Sequence, residues 1–83
     1  MKVKTFQEEY ELTNFSCYLD NFDGDIISVI DLVVRNNNPE QVEIDFNNLF
    51  ALETDKNAHV FAGYKVSECY LVDSNLIKVV CIK

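Results

Sequence analysis

Hydrophobic and polar positions along the chain alternate in short runs, most with the two-residue period of a half-buried strand. "MKVKTF" (1–6) interleaves lysine with apolar or β-branched residues, which predicts an edge strand with Lys2 and Lys4 facing water. "FSCYL" (15–19) sets Phe15, Cys17 and Leu19 on one face. The strongest run is "DIISVIDLVVR" (25–35), where Ser28, Ile30, Leu32 and Val34 oppose Val29, Asp31, Val33 and Arg35. Both of its faces are largely apolar, as in a central strand covered on two sides. "QVEIDF" (41–46) alternates cleanly and predicts a strand with Val42, Ile44 and Phe46 inward and Glu43 and Asp45 outward. "LFALE" (49–53), a polar "TDKN" turn (54–57), "HVFAGYKV" (59–66), "CYLV" (69–72) and "LIKVVCI" (76–82) complete the pattern.

The connections sharpen this picture. A three-residue loop at Asp73, Ser74 and Asn75 sets Leu71 opposite Ile77 and Cys69 opposite Val79. Cys69 and Cys81 then share a face but lie diagonally, a poor geometry for a disulfide. In "LDNFDGDII" (19–27), Asp23 and Gly24 form a favoured turn pair, because both tolerate positive φ. Read as an EF-hand loop, the same stretch fails at both ends, with Leu19 and Ile30 in the first and twelfth positions. Asn36 to Asn38 and Pro39 read as a connector that ends one strand and opens a turn. Phe6 and Tyr10 stand four apart, so a short helical turn is expected near residues 7–11 or 46–49. With turn signals recurring at roughly 8–12 residues, the chain reads as all-β: a small Ig-like antiparallel β-sandwich or barrel of about six to seven strands.

Length and charge narrow the functional classes. Eighty-three residues make a single domain (1–83) whose core is small. A net charge of −7 repels phosphate backbones, which argues against direct nucleic-acid binding; the same charge either keeps a small protein soluble or presents a negative surface to a basic partner. Three cysteines (Cys17, Cys69, Cys81) and one histidine (His59) supply neither a disulfide framework nor a zinc-ligand pattern. No metal and no cofactor is therefore expected. Unpaired cysteines favour a reducing compartment, so the expected location is cytoplasmic, of a host cell. "MKVKTFQEEYELTNF" (1–15) lacks the apolar core of a signal peptide, and no run is long enough to span a membrane. His59 has no nucleophile motif beside it and the chain has no glycine-rich loop, so an enzyme is not expected.

The remaining candidates are surface groups. Tyr18 and Tyr70 alternate out of phase with the apolar faces, and tyrosine adds contact area at little entropic cost. With Asp20, Asp23, Asp25, Glu43 and Asp45 they form the expected partner-binding set.

Residues 29–61 resemble the middle of the telokin-like, immunoglobulin-type domains of bacterial lipoproteins. The likeness rests on "VIDLVVRNNN", "PEQ", "VEIDF", Phe50 with Leu52, and "ETDKN". The resemblance implies a fold and carries no catalytic or binding residues; it also implies an extracytoplasmic envelope or adhesion role as the alternative, with a signal removed. In general style the chain is also similar to small acidic proteins of phages and mobile elements that block host defence proteins such as CRISPR nucleases. That likeness implies a non-enzymatic inhibitor whose carboxylates occlude a partner's nucleic-acid-binding groove. A third expectation is a structural homodimer paired through an edge strand such as residues 76–82.

Overall fold

The computed structural model describes residues 1–53 and 58–83, with the side chain of Ala58 left aside; the "TDKN" turn expected at 54–57 lies outside the described residues. The described chain is all-β with one short helix. In order come β1 (Lys2–Lys4), β2 (Glu9–Phe22), β3 (Asp25–Arg35), α1 (Pro39–Phe46), β4 (Ala51–Glu53), β5 (Ala58–Val60), β6 (Lys65–Asp73) and β7 (Leu76–Ile82). All neighbours are antiparallel, in the order β5-β4-β1-β2-β3-β7-β6.

β3 and β7 occupy the residues their apolar runs predict, and β3 is central. The expected pairs Leu71–Ile77 and Cys69–Val79 form. The loop between β6 and β7 is shorter than the expected three residues, because Asp73 pairs with Leu76. A register shift between Leu71 and Asp73 takes up the extra residue and preserves the pairing beyond it. Asp23 (φ 52) and Gly24 (φ 86) form the tight turn of the β2–β3 hairpin, both with the positive φ such a turn demands.

Four expectations are corrected. β1 is not an edge strand but lies between β2 and β4; Lys2 and Lys4 face water all the same, balanced by Glu9 and Glu53. β7 is not an edge either, since it lies between β3 and β6. Of the two places named for a helical turn, residues 9–11 are strand paired with β1, while 46–49 begins on the last residue of a helix, Phe46. Most consequentially, "PEQVEIDF" is the helix α1. Asn38 is its N-cap, with Oδ1 accepting from the backbone N–H of Gln41 at 3.3 Å, and Pro39 opens the first turn. Six residues were too few to separate the two periods: Val42 and Phe46 are alternate positions in a strand pattern and also four apart, on one face of a helix. Both are fully buried, whereas Ile44, which a strand would have turned inward, is 58% exposed.

The core lies between α1 and one face of the sheet. Leu12, Ile30, Leu32, Val34, Ile77, Val79 and Cys81 meet Val42 and Phe46 of the helix. An aromatic chain extends this core beneath β1 and β4. Tyr10 meets Phe46 (5.7 Å between ring centroids), Phe46 meets Phe50 (5.0 Å), and Phe50 stacks on Phe61 (5.4 Å). Each fully buried aromatic contributes about 1.5–3 kcal/mol, so these rings carry much of what a chain this small can gain by burial.

Candidate partner-binding surfaces

The expected partner-binding residues do not form one site; the fold distributes them over a hairpin tip, a sheet face, the helix and the core. Asp45 is the clearest correction. It is fully buried, its Oδ2 accepts from the Tyr10 hydroxyl, and its Oδ1 accepts from Gln41 Nε2 at 2.9 Å. It is a structural carboxylate that ties α1 to β2, not a contact for a partner. Burial first, then the nearby carboxylate, raises the Tyr10 phenol above its usual range. Glu43 is exposed, as expected, though it stands on this helix and not on the predicted strand.

Asp20, Asp23 and Asp25 gather at the end of the β2–β3 hairpin. Pairing of β3 with β7 begins at Val29, and pairing of β2 with β1 involves Glu9 to Glu11, so the outer part of the hairpin is a two-stranded arm. Leu19, Phe22 and Ile26 on this arm are 72%, 66% and 73% exposed. The run "FSCYL" does put Leu19 on the face shared with Phe15, but the covering layer stops near Tyr64, whose hydroxyl shares a 2.5 Å hydrogen bond with Ser28. The arm thus presents three apolar side chains among three carboxylates, none of which forms an ion pair among the described residues.

Tyr18 and Tyr70 lie on the sheet face opposite α1. Register places Tyr18 beside Val29 and Ile82, and Tyr70 beside Lys78 and, one strand further, Val33. Between them Lys78 Nζ meets Asp31 Oδ1 at 2.5 Å, an ion pair that raises the lysine above its usual value. Buried Val29 and half-buried Val33, Leu76 and Val80 surround this pair. Among the described residues no helix packs on this face, where β3 presents Ile27, Val29 and Val33 together with Asp31 and Arg35.

Three clefts of about 200, 180 and 170 Å³ contain no His, Cys, Asp or Glu, and each is smaller than the roughly 300 Å³ at which small-molecule sites begin. Among the described residues no three His, Cys, Asp or Glu side chains converge as a metal-ligand set. His59 is exposed in β5, opposite Leu52. No described helix is long and apolar enough to cross a membrane. No family model matches the chain, and no curated protein or solved structure matches it significantly.

Sequence reasoning missed Leu19, Phe22 and Ile26 as surface groups. Their exposure follows from the unequal reach of the strands, and periodicity carries no signal for that.

Proposed function

We propose that the protein is a non-enzymatic binding module that docks on a basic surface of another protein through its β2–β3 arm. The observation that carries this reading is the grouping of exposed Leu19, Phe22 and Ile26 on one projecting hairpin with Asp20, Asp23 and Asp25, which form no ion pair among the described residues. Apolar side chains supply desolvation energy and the carboxylates supply orientation and on-rate, the division of labour of a protein interface. Among the described residues four cations are engaged elsewhere: Lys2, Lys4, Arg35 and Lys78 each face a carboxylate within 4 Å. The charge available to a partner is therefore largely negative.

A groove lined by Lys and Arg, as in a nucleic-acid-binding protein, matches this chemistry, and occupying it would block the nucleic acid. Small acidic inhibitors of host defence proteins such as CRISPR nucleases act in this way, so such proteins are the first partners to test. The experiment is an affinity pull-down from host lysate at low and high salt, repeated with Asp20→Asn/Asp23→Asn/Asp25→Asn. The expected result is a partner retained at low salt, released at high salt, and held at least about tenfold more weakly by the variant. Binding that ignores both salt and the variant would overturn the proposal.

A further inference from the structure

We infer that the arm takes its partner as an added β-strand, an extended segment alternating basic and apolar residues laid along the free edge of β2. This rests on the arm as the docking element and specifies what it docks. β2 pairs with β1 only over Glu9 to Glu11, with one more bond from the Leu12 N–H to the Met1 carbonyl. Beyond that point, among the described residues, β2 has a strand on one side only, β3. The hydrogen bonds of β3 show which groups face the open side. Ser28 exchanges both of its backbone bonds with Lys83, away from β2, so its partner Leu19 points its own N–H and C=O away from β3. The two-residue period extends this to Cys17 and Phe15. Asn21 shares the phase, and its N–H is already bonded to Asp20 Oδ1 at 2.8 Å. Every residue from Ser16 to Phe22 is exposed. Another strand is the protein partner that completes such a row of outward N–H and C=O groups.

The side chains beside this edge choose among strands. With the register shift at Leu12/Asn14 counted, Glu9, Glu11 and Asp20 lie on one face of β2, and Tyr10, Leu12, Phe15, Cys17 and Leu19 on the other. The paired end of the edge shows how that pattern is read. In β1, Lys2 and Lys4 meet Glu9 at 3.2 and 3.8 Å, while Val3 is fully buried opposite Tyr10. The open end repeats the pattern, with Asp20 in place of Glu9 and Leu19 in place of Tyr10. A cleft of about 180 Å³ lined by Met1, Leu12, Thr13, Asn14 and Phe15 opens where β1 stops. Strand edges are commonly guarded by lysine, proline, bulges or shortness. The outer strands comply: β5 has three residues, and β6 carries register shifts at Val66/Glu68 and Leu71/Asp73. Residues 12–34 contain no Lys, Arg or Pro, so past the shift at Leu12/Asn14 the β2 edge has no guard. For the same reason a second copy of β2 would bring carboxylates and no cation. A basic strand brings to Asp20 what Lys2 and Lys4 bring to Glu9.

The probe is a capped, fluorescent peptide of about nine residues alternating lysine and valine, read by anisotropy against the intact protein. Two controls keep its charge and composition: one is N-methylated at every residue, and the other gathers its lysines and valines into two blocks. The alternating peptide should bind at least about tenfold more tightly than either control, and should slow amide exchange at Cys17 and Leu19. Cys17→Pro removes an outward N–H without touching the bonds to β3, and should weaken binding at least about tenfold with far-UV circular dichroism unchanged. Should that variant fail to fold, the methylated peptide puts the same question to the wild type. Equal affinity for the methylated or the block peptide overturns strand addition, as does an alternating peptide that does not bind at about 1 mM. Asp20→Asn/Asp23→Asn/Asp25→Asn then separates the two claims. If it weakens partner retention, the arm remains the docking element without strand addition; if it does not, that reading falls as well. A wild-type mass of twice 9.6 kDa, returned to 9.6 kDa by Cys17→Pro, would give the edge to a second copy and overturn the proposal.

Discussion

Replacing Asp45 with alanine tests the claim that this residue is structural. Its carboxylate accepts two hydrogen bonds while fully buried, from the Tyr10 hydroxyl and from Gln41 Nε2. A hydrogen bond to a charged acceptor contributes about 1.5–3 kcal/mol, and a hydroxyl left buried without a partner costs about 1–3 kcal/mol. Asp45→Ala should therefore destabilise the fold by about 3–5 kcal/mol, the range for breaking a buried polar network. Single domains total about 5–15 kcal/mol, so the variant stands near the edge of unfolding. Tyr10→Phe keeps the ring against Phe46 and loses one hydrogen bond, which should cost about 1.5–3 kcal/mol. With the hydroxyl already gone, Asp45→Ala has one fewer orphan to create. The double variant should thus be more stable than the sum of the singles implies, by about 1–2 kcal/mol. Urea unfolding followed by far-UV circular dichroism supplies all three values. Additivity within about 0.5 kcal/mol, or a cost below about 1 kcal/mol for Asp45→Ala, would refute the reasoning.

Three further outcomes follow from the same structure. Asn38→Ala removes the cap of α1 and should cost about 1 kcal/mol by the same unfolding assay, whereas a strand in this segment would register almost nothing. Burial raises Cys81 to about 12 and Cys69 to about 11 and pushes Tyr10 above its usual value. The unfolded chain therefore loses these protons first; stability is full below pH 9, the usual thiol value in the unfolded chain, and falls as pH rises toward the folded values. The slope is up to about 1.4 kcal/mol per pH unit per group, and an unfolding midpoint unchanged between about pH 8 and 10.5 would contradict it. With Cys17 exposed, Cys69 half-buried and Cys81 buried, Ellman's reagent should titrate one thiol quickly in the native protein and three in denaturant. Three fast thiols in the native state would be inconsistent with this packing.

Where a run was long, the sequence was legible. Eleven residues of β3 and seven of β7 carry enough alternation to fix element, phase and partner, down to the Leu71–Ile77 pair. The six-residue run 41–46 failed because spacings of two and four coincide at Val42 and Phe46, leaving the arbitration to the helix-start signals around it. Asn38, Pro39 and Glu40 are such signals: a capping amide, a proline that fits the first helical position, and an acid in the first turn. Asp45 was misplaced for the same reason, since strand phase sends it outward and helix phase turns it toward Tyr10. Tyr18 and Tyr70 were legible as a pair on the polar phase of their strands. What no periodicity contains is the layer above a face, and that layer decides whether Leu19 is core or surface and whether Val80 has a neighbour.

Ionic strength tests the part that the arm's carboxylates play in binding. Carboxylates exposed on a hairpin act through water, where raising salt from about 50 mM to about 500 mM shortens the Debye length from roughly 14 Å to roughly 4 Å. Attraction between the arm and a basic surface should collapse across that range. A salt titration read by partner retention should therefore give release of the partner. A partner that stays bound across that range would place the contact on Leu19, Phe22 and Ile26 and not on the carboxylates.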